Sequence, residues 1–253
     1  MTINHSKSTF ALHLTQTAAA FMLLSLSACG ELPESEAAAT EGLTIAKTTS
    51  GPSLGAASGF AVLGASTVTC TNASAITGDV GVSPGTAITG FNPPCTLTGA
   101  LHAGDGVAAQ AHADLGIAYN TLAAAVCEHN LTDQDLGGKT LAPGIYCFNK
   151  AVGVTGALTL DGGGDSNAVW IFKVGTAITT GTKASVVLAG GGTPGNVFWK
   201  VGSSATIGTG TAFQGNLLAY ASISLVSGSS LVGHALALNA AVTMDDNKVT
   251  LAN

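Results

Sequence analysis

Charge is scarce in this chain. Only 9% of its 253 residues are charged, with 8 Lys and Arg against 14 Asp and Glu. At a net charge of -6, no basic patch is available to neutralise phosphates, which argues against a nucleic-acid partner. Aromatic residues make up 5%. No uninterrupted apolar run reaches the roughly 20 residues that a membrane-spanning helix needs. The cysteines form no close CxxC pair and the histidines sit elsewhere, so no metal site or cofactor is expected. Catalysis is also poorly supported. Asp161, Asp165, Asp245 and Asp246 fall in predicted turns, and no carboxylate pair recurs on a sheet face. His102, His112, His129 and His234 belong to no recognisable constellation, and Asp245-Asp246-Asn247 lacks the spacing of an EF-hand. The chain does not read as an enzyme.

What is present is a repeated placement of one hydroxyl between two apolar residues. It occurs as Leu158-Thr159-Leu160, Ala205-Thr206-Ile207, Ile223-Ser224-Leu225 and Val242-Thr243-Met244, with Ile178-Thr179-Thr180 as a weaker copy. Neighbouring side chains of a strand point to opposite faces, so the apolar pair faces inward and the hydroxyl outward. Stacked as rungs of a β-solenoid, Thr159, Thr179, Thr206, Ser224 and Thr243 form an outward ladder, with Thr179 and Thr206 near its centre.

The N-terminal residues read as an export signal. Lys7 precedes a largely apolar run, Ala18 to Leu26, which ends in Leu26-Ser27-Ala28-Cys29-Gly30. This close resembles the lipobox of bacterial lipoproteins, with residues 1–28 removed and Cys29 lipidated; an ordinary cut near Ala28 is the alternative. Gly30 after the cysteine resembles the pattern routed to the outer membrane, so an outer-membrane lipoprotein or cell-surface location is expected, with release to the medium the alternative. Membrane contact is expected only through that anchor. Residues 29–50 then form a spacer rich in Ala, Glu, Ser and Thr, and residues 51–253 are enough for one buried domain. Apart from Cys29, four cysteines remain, allowing three connectivities. Cys70–Cys95 and Cys127–Cys147 are favoured because each closes a local excursion from the repeat.

The C-terminal part repeats visibly. Asn196 to Val201, Asn216 to Tyr220 and His234 to Leu238 align at offsets of 19 and 18, and Trp170 to Val174 aligns with Val197 to Val201 at 27. A period near 18 leaves about six residues for each side of a triangular rung, and stacking buries inner faces that a single rung cannot bury. The first side is apolar on both faces (Phe198 beside Trp199, Leu217 beside Leu218) and requires a cover. A helix over about 101–126 supplies it, with Val107, Ala111, Leu115, Ala118, Leu122 and Val126 spaced by three and four and Asp105 near its start.

The second side carries the ladder, with outer pairs Ala177/Thr179, Ser204/Thr206, Ser222/Ser224 and Ala241/Thr243, and Ala157/Thr159 assigned beside them. Ala87/Thr89 fits the same pattern upstream of the helix, so the order of rungs in space need not follow the chain. The third side contains Thr211, Gln214, Ser230 and Thr250 among outer positions of mixed size, and is the alternative binding face.

Several segments together carry a family resemblance: Gly78-Asp79-Val80-Gly81-Val82-Ser83-Pro84-Gly85 with Thr86 to Phe91, His102-Ala103-Gly104-Asp105, Leu141-Ala142-Pro143-Gly144-Ile145-Tyr146, and Ala241 to Asn247. Over roughly Gly51 to Asn253 the chain resembles the ice-binding proteins of the DUF3494 family. The resemblance implies a discontinuous right-handed β-solenoid with a helix alongside and a capping segment. It also implies adsorption to ice through one flat face, giving thermal hysteresis or inhibition of recrystallisation.

The family's pattern is loosely Thr, Ala or Gly, any residue, then Thr or Asn. Thr86 to Thr89 and Thr176 to Thr179 match it fully; Ser203 to Thr206 and Ser222 to Ser224 match loosely; Ala240 to Thr243 lacks the first hydroxyl. The residues expected to contact ice are thus Thr86, Thr89, Thr159, Thr176, Thr179, Ser204, Thr206, Ser222, Ser224 and Thr243. His234 stands where the family pattern suggests a basic residue.

Strands about 4.8 Å apart, with alternate residues about 6.6 Å apart, form a grid near the repeats of an ice lattice. Hydroxyl ladders also occur on solenoids without a ligand, because Thr is a good strand residue. A structural scaffold, a surface adhesin and, less well, a polysaccharide-active solenoid are therefore the competing readings. A monomer is expected, since the ladder must stay free.

Overall fold

The computed structural model describes residues 50–252. The expected signal, Cys29 and nearly all of the spacer lie outside the described residues. Within them the chain winds into parallel strands on three sides of a solenoid. Its inner positions are filled by Val, Ile and Leu, whose branched side chains suit a pleated buried surface. Tyr146, Phe172 and Trp199 stack on successive rungs, with ring centroids 5.5 and 3.9 Å apart, and Phe213 meets Trp199 from the third side at 5.0 Å. The indoles keep their polar edge satisfied: Trp199 Nε1 donates to Gln214 O at 3.0 Å and Trp170 Nε1 to Leu141 O at 3.2 Å.

The solenoid is discontinuous. Ser230–Ala237 continues the first side from Ala212–Ala219, and Phe60–Gly64 from the start of the domain stacks directly upon it. On the second side Thr67–Thr71 likewise joins Val242–Asp245, and on the third Ala75–Thr77 joins Lys248–Thr250. The first residues of the domain thus extend the pile beyond its last, as the upstream position of Ala87 and Thr89 suggested.

Two eight-residue strands, Ala212–Ala219 and Ser230–Ala237, bend from the third side onto the first at Gly215 and Gly233, which are register partners. Their φ values of 112° and 139° suit glycine. A Cβ on Gly233 would lie 2.1 Å from Gly215 O, so the backbones meet where a side chain has no room.

The helix spans Gly106–Ala124, shorter than the expected 101–126. Leu101–Ala103 is instead a strand paired with Asp79–Val82, and the pairing overrides the helical spacing there. Asp105 is the N-cap: its side chain accepts from Ala108 N at 2.8 Å, and this bond, followed by that from His102, holds its carboxyl below the usual range. Ala111, Leu115, Ala118, Tyr119 and Leu122 pack against Phe60, Leu63, Ile171, Phe198, Leu218 and Leu236, giving the first side its cover. Val107 and Val126, expected in that contact, are 51% and 80% exposed. Val107 lies in the first turn, and Val126 lies past the helix end, where the periodicity no longer applies.

Disulfides join Cys70 to Cys95 and Cys127 to Cys147. The first ties strand Thr67–Thr71 of the second side to the residue before Thr96–Thr98, the terminal strand of the third side at that end. The second anchors the chain leaving the helix to strand Gly144–Phe148.

Candidate functional site

The second side is a seven-stranded parallel sheet ordered Val152–Val154, Ile178–Thr180, Ala205–Ile207, Ile223–Leu225, Val242–Asp245, Thr67–Thr71 and Ala87–Thr89. Its central outward row reads Gly153, Thr179, Thr206, Ser224, Thr243, Thr69 and Thr89, each in register with the next. Two residues earlier on each strand, a parallel row contains Ala177, Ser204, Ser222, Ala241, Thr67 and Ala87. Between the rows the inward residues Ile178, Ala205, Ile223, Val242 and Val68 are buried, which fixes the alternation.

Hydroxyls touch across rungs. Ser204 and Ser222 Oγ are 3.0 Å apart, Thr243 Oγ1 donates to Ser224 Oγ at 3.2 Å, and Thr89 Oγ1 donates to Thr69 Oγ1 at 3.3 Å. Six intervals at about 4.8 Å make the face about 29 Å long. Neither row contains a titratable residue. Carboxylates only border it: Asp245 accepts from Asn72 Nδ2, and Asp135 accepts from Thr155 Oγ1 at 2.8 Å. Asp135 also explains why the ladder ends in glycine, since a Cβ on Gly153 would lie 2.5 Å from its carboxylate oxygen.

Of the residues singled out in the sequence, Thr179, Ser204, Thr206, Ser222, Ser224, Thr243 and Thr89 lie on these two rows. Thr176 and Thr86 are exposed at the adjoining corner, one position before the first row. Thr159 does not join them. Strand Val152–Val154 fills the expected rung, the chain turns at Thr155-Gly156, and Ala157–Asp161 pairs with Ser185–Ala189 on the third side. The hydroxyl pattern of Leu158 to Leu160 is genuine, but it belongs to another face. The centre of the ladder consequently moves from Thr179 and Thr206 to Ser224.

Thr67 and Thr69 are residues that sequence reasoning missed. Thr67-Val68-Thr69-Cys70-Thr71 alternates hydroxyl with apolar more regularly than any later rung, and that alternation was the available signal.

The alternative face is less uniform. Its outward row passes through Thr159, Val187, Gln214, Val232 and Thr250, with Val187 and Val232 exposed. Gln214 Nε2 is engaged with Val186 O at 3.0 Å. Thr211, assigned to that face, is buried at the corner, where its Oγ1 lies 2.8 Å from Thr180 Oγ1 and donates to Gly181 O. The inward turn of Thr180 creates this buried pair, so Thr211 is structural.

His234 is also internal. Its Nδ1 donates to Phe60 O at 2.7 Å, and burial pushes its pKa down. It joins the last downstream rung to the first upstream one rather than presenting a charge. Among the described residues no group of three or more His, Cys, Asp or Glu is arranged to hold a metal.

Comparison with known proteins agrees with this architecture. The family described as Ice-binding-like matches residues 62–250. The ice-binding protein of Nostoc sp. (strain HG1) is 51% identical over 210 residues, covering 83% of this chain and 77% of that protein. The crystal structure of an ice-binding protein from an Antarctic biological consortium superposes with a TM-score of 0.78 at 43% identity, over 81% of this chain and 92% of the other. That of the Antarctic ascomycete Antarctomyces psychrotrophicus gives 0.78 at 41% identity, over 81% and 100%. With the family match spanning most of the solenoid and the same fold recurring at this identity, the chain belongs to the ice-binding-like family.

Proposed function

We propose that this protein adsorbs to ice through the seven-strand second side, without catalysis, and so restrains crystal growth and recrystallisation. The observation that carries the reading is the registered row Thr179, Thr206, Ser224, Thr243, Thr69 and Thr89, backed by a parallel row of small residues and hydroxyls. Each hydroxyl both donates and accepts, while alanines and threonine methyls exclude competing disordered water. Each contact contributes only about 1 kcal/mol, so affinity comes from many contacts made together. A rigid face loses little conformational entropy on meeting a periodic solid. Relatives named as ice-binding proteins support the same reading.

The proposed contact residues are that row with Ser204, Ser222, Thr86 and Thr176. Thr206→Tyr places a ring above the plane and should abolish most thermal hysteresis and recrystallisation inhibition, whereas Ser230→Tyr on the third side should leave both intact. Loss confined to Ser230→Tyr would move the site to the third side. No activity in the folded parent protein would overturn the reading.

We further propose export with cleavage after residue 28, lipidation of Cys29, and residues 29–50 as a spacer holding the solenoid off an outer membrane. The Leu26-Ser27-Ala28-Cys29 sequence supports this. No helix among the described residues is long and apolar enough to cross a membrane. Cys29→Ser should shift the protein from membrane to medium while preserving the fold. The free ladder and the covered first side favour a monomer, which sedimentation tests.

A further inference from the structure

The chain's eight basic residues are all lysines, and two of them share one cleft. Lys173 and Lys200 are register partners on strands Trp170–Val174 and Val197–Val201, both on the outward face of the first side beneath the end of the helix. The cleft measures about 400 Å³, and Asn130, Asn149, Phe148, Val174 and the Cys127–Cys147 pair also line it. No acidic side chain is among its lining residues.

We infer that this cleft binds a tetrahedral oxyanion, a phosphate or sulfate, either free or as a monoester. The donors are in place and underused. Lys173 Nζ spends one of its three donors on Ala125 O at the helix C-terminus. Lys200 Nζ makes no hydrogen bond among the described residues and sits 4.9 Å above the Tyr119 ring. Asn130 Oδ1 accepts from Thr132 N at 3.0 Å, and its amide N–H groups have no partner among the described residues. The Asn149 carboxamide is exposed and has no partner among the described residues. Ammoniums carried on strands about 4.8 Å apart can each donate to a different oxygen of one oxyanion.

Two cations held side by side in a cleft with no acidic lining residue also repel. Burial first, and then Lys173, push the Lys200 pKa down, and a bound dianion would relieve the second of these. The site is distinct from the hydroxyl ladder, so the inference stands apart from the ice-binding proposal.

The test is a titration of isotope-labelled protein with sodium phosphate, against sodium chloride at matched ionic strength, following the Asn130 and Asn149 side-chain amides. A saturable shift with phosphate and none with chloride is expected. Lys200→Gln should weaken binding by at least about tenfold, as loss of one close charge implies. Because Lys200 also packs on Tyr119, Asn149→Asp provides a second variant: it is exposed, should fold normally, and should abolish binding by placing a carboxylate in the cleft. Lys248→Gln, on the third side, should change nothing. A parallel titration with glycerol 3-phosphate separates the two sources, tighter binding assigning the site to an esterified group and tighter phosphate binding to the free ion. Equal shifts with chloride, or phosphate binding undiminished in both cleft variants, would overturn the inference.

Discussion

Thr243 Oγ1 donates to Ser224 Oγ at 3.2 Å across neighbouring strands whose Cα atoms are in register. The bond fixes the rotor of one hydroxyl and leaves acceptor capacity on both oxygens directed to solvent. The pair also lies at the middle of the seven-stranded sheet, with Thr206 on one side and Thr69 on the other. Ser224→Tyr is therefore expected to be more damaging than the same change at either end, because its ring holds rungs on both sides away from a flat surface. Thermal hysteresis of Ser224→Tyr should fall below that of Thr89→Tyr. Stability of both should change by about 0.5 kcal/mol or less, since the positions face solvent. Equal activity in the two would argue against one continuous contact plane.

Thr69 makes a sharper case, because its strand comes from the start of the domain. If the plane runs through it, Thr69→Tyr should reduce activity about as much as Thr206→Tyr. Full activity in Thr69→Tyr with loss in Thr206→Tyr would confine the contact to the downstream rungs. Ice-affinity partitioning of the two variants provides a second measurement.

Much of this arrangement was legible in the residues, and the gaps have physical causes. The inward-outward alternation, the triangular period and the covered first side follow from apolar spacing alone. Thr159 was misassigned because one rung with glycine in the hydroxyl position, Val152-Gly153-Val154, is indistinguishable from a turn by composition. The strand at Leu101–Ala103 was hidden because only pairing with Val80 to Val82 reveals it. Thr69 was missed for a related reason. Its register with Thr243 joins the two ends of the domain, and local alternation says nothing about which distant strand is the neighbour.

The neutral rows predict that adsorption is insensitive to pH while stability is not. His234 is held neutral by burial, so its folded-state pKa lies below the unfolded value of about 6.5. Below that value the unfolded chain takes up a proton that the folded one refuses, so stability falls as pH drops from about 6.5 towards the folded pKa. The slope from this one group is at most about 1.4 kcal/mol per pH unit. Asn216 occupies the equivalent place one rung away and donates to Val197 O at 3.1 Å, so His234→Asn should fold. Urea midpoints between pH 7.5 and 5.5 should drop less in this variant than in the parent; identical drops would remove His234 as the cause. These pH values bracket the usual histidine range of about 6.5.

The helix contact should carry a large share of the fold's cohesion. Leu115 is fully buried between the helix and the first side, in a cluster with Phe60, Leu218 and Leu236. Leu115→Ala removes three carbons and leaves a cavity, which costs about 2–5 kcal/mol. Ala113→Ser on the exposed side of the same helix should cost no more than about 0.5 kcal/mol. Because Leu115 is remote from the ladder, activity per folded molecule should survive at low temperature while the unfolding midpoint falls. Loss of activity without loss of stability would instead mean that the helix, and not the second side, meets the ice.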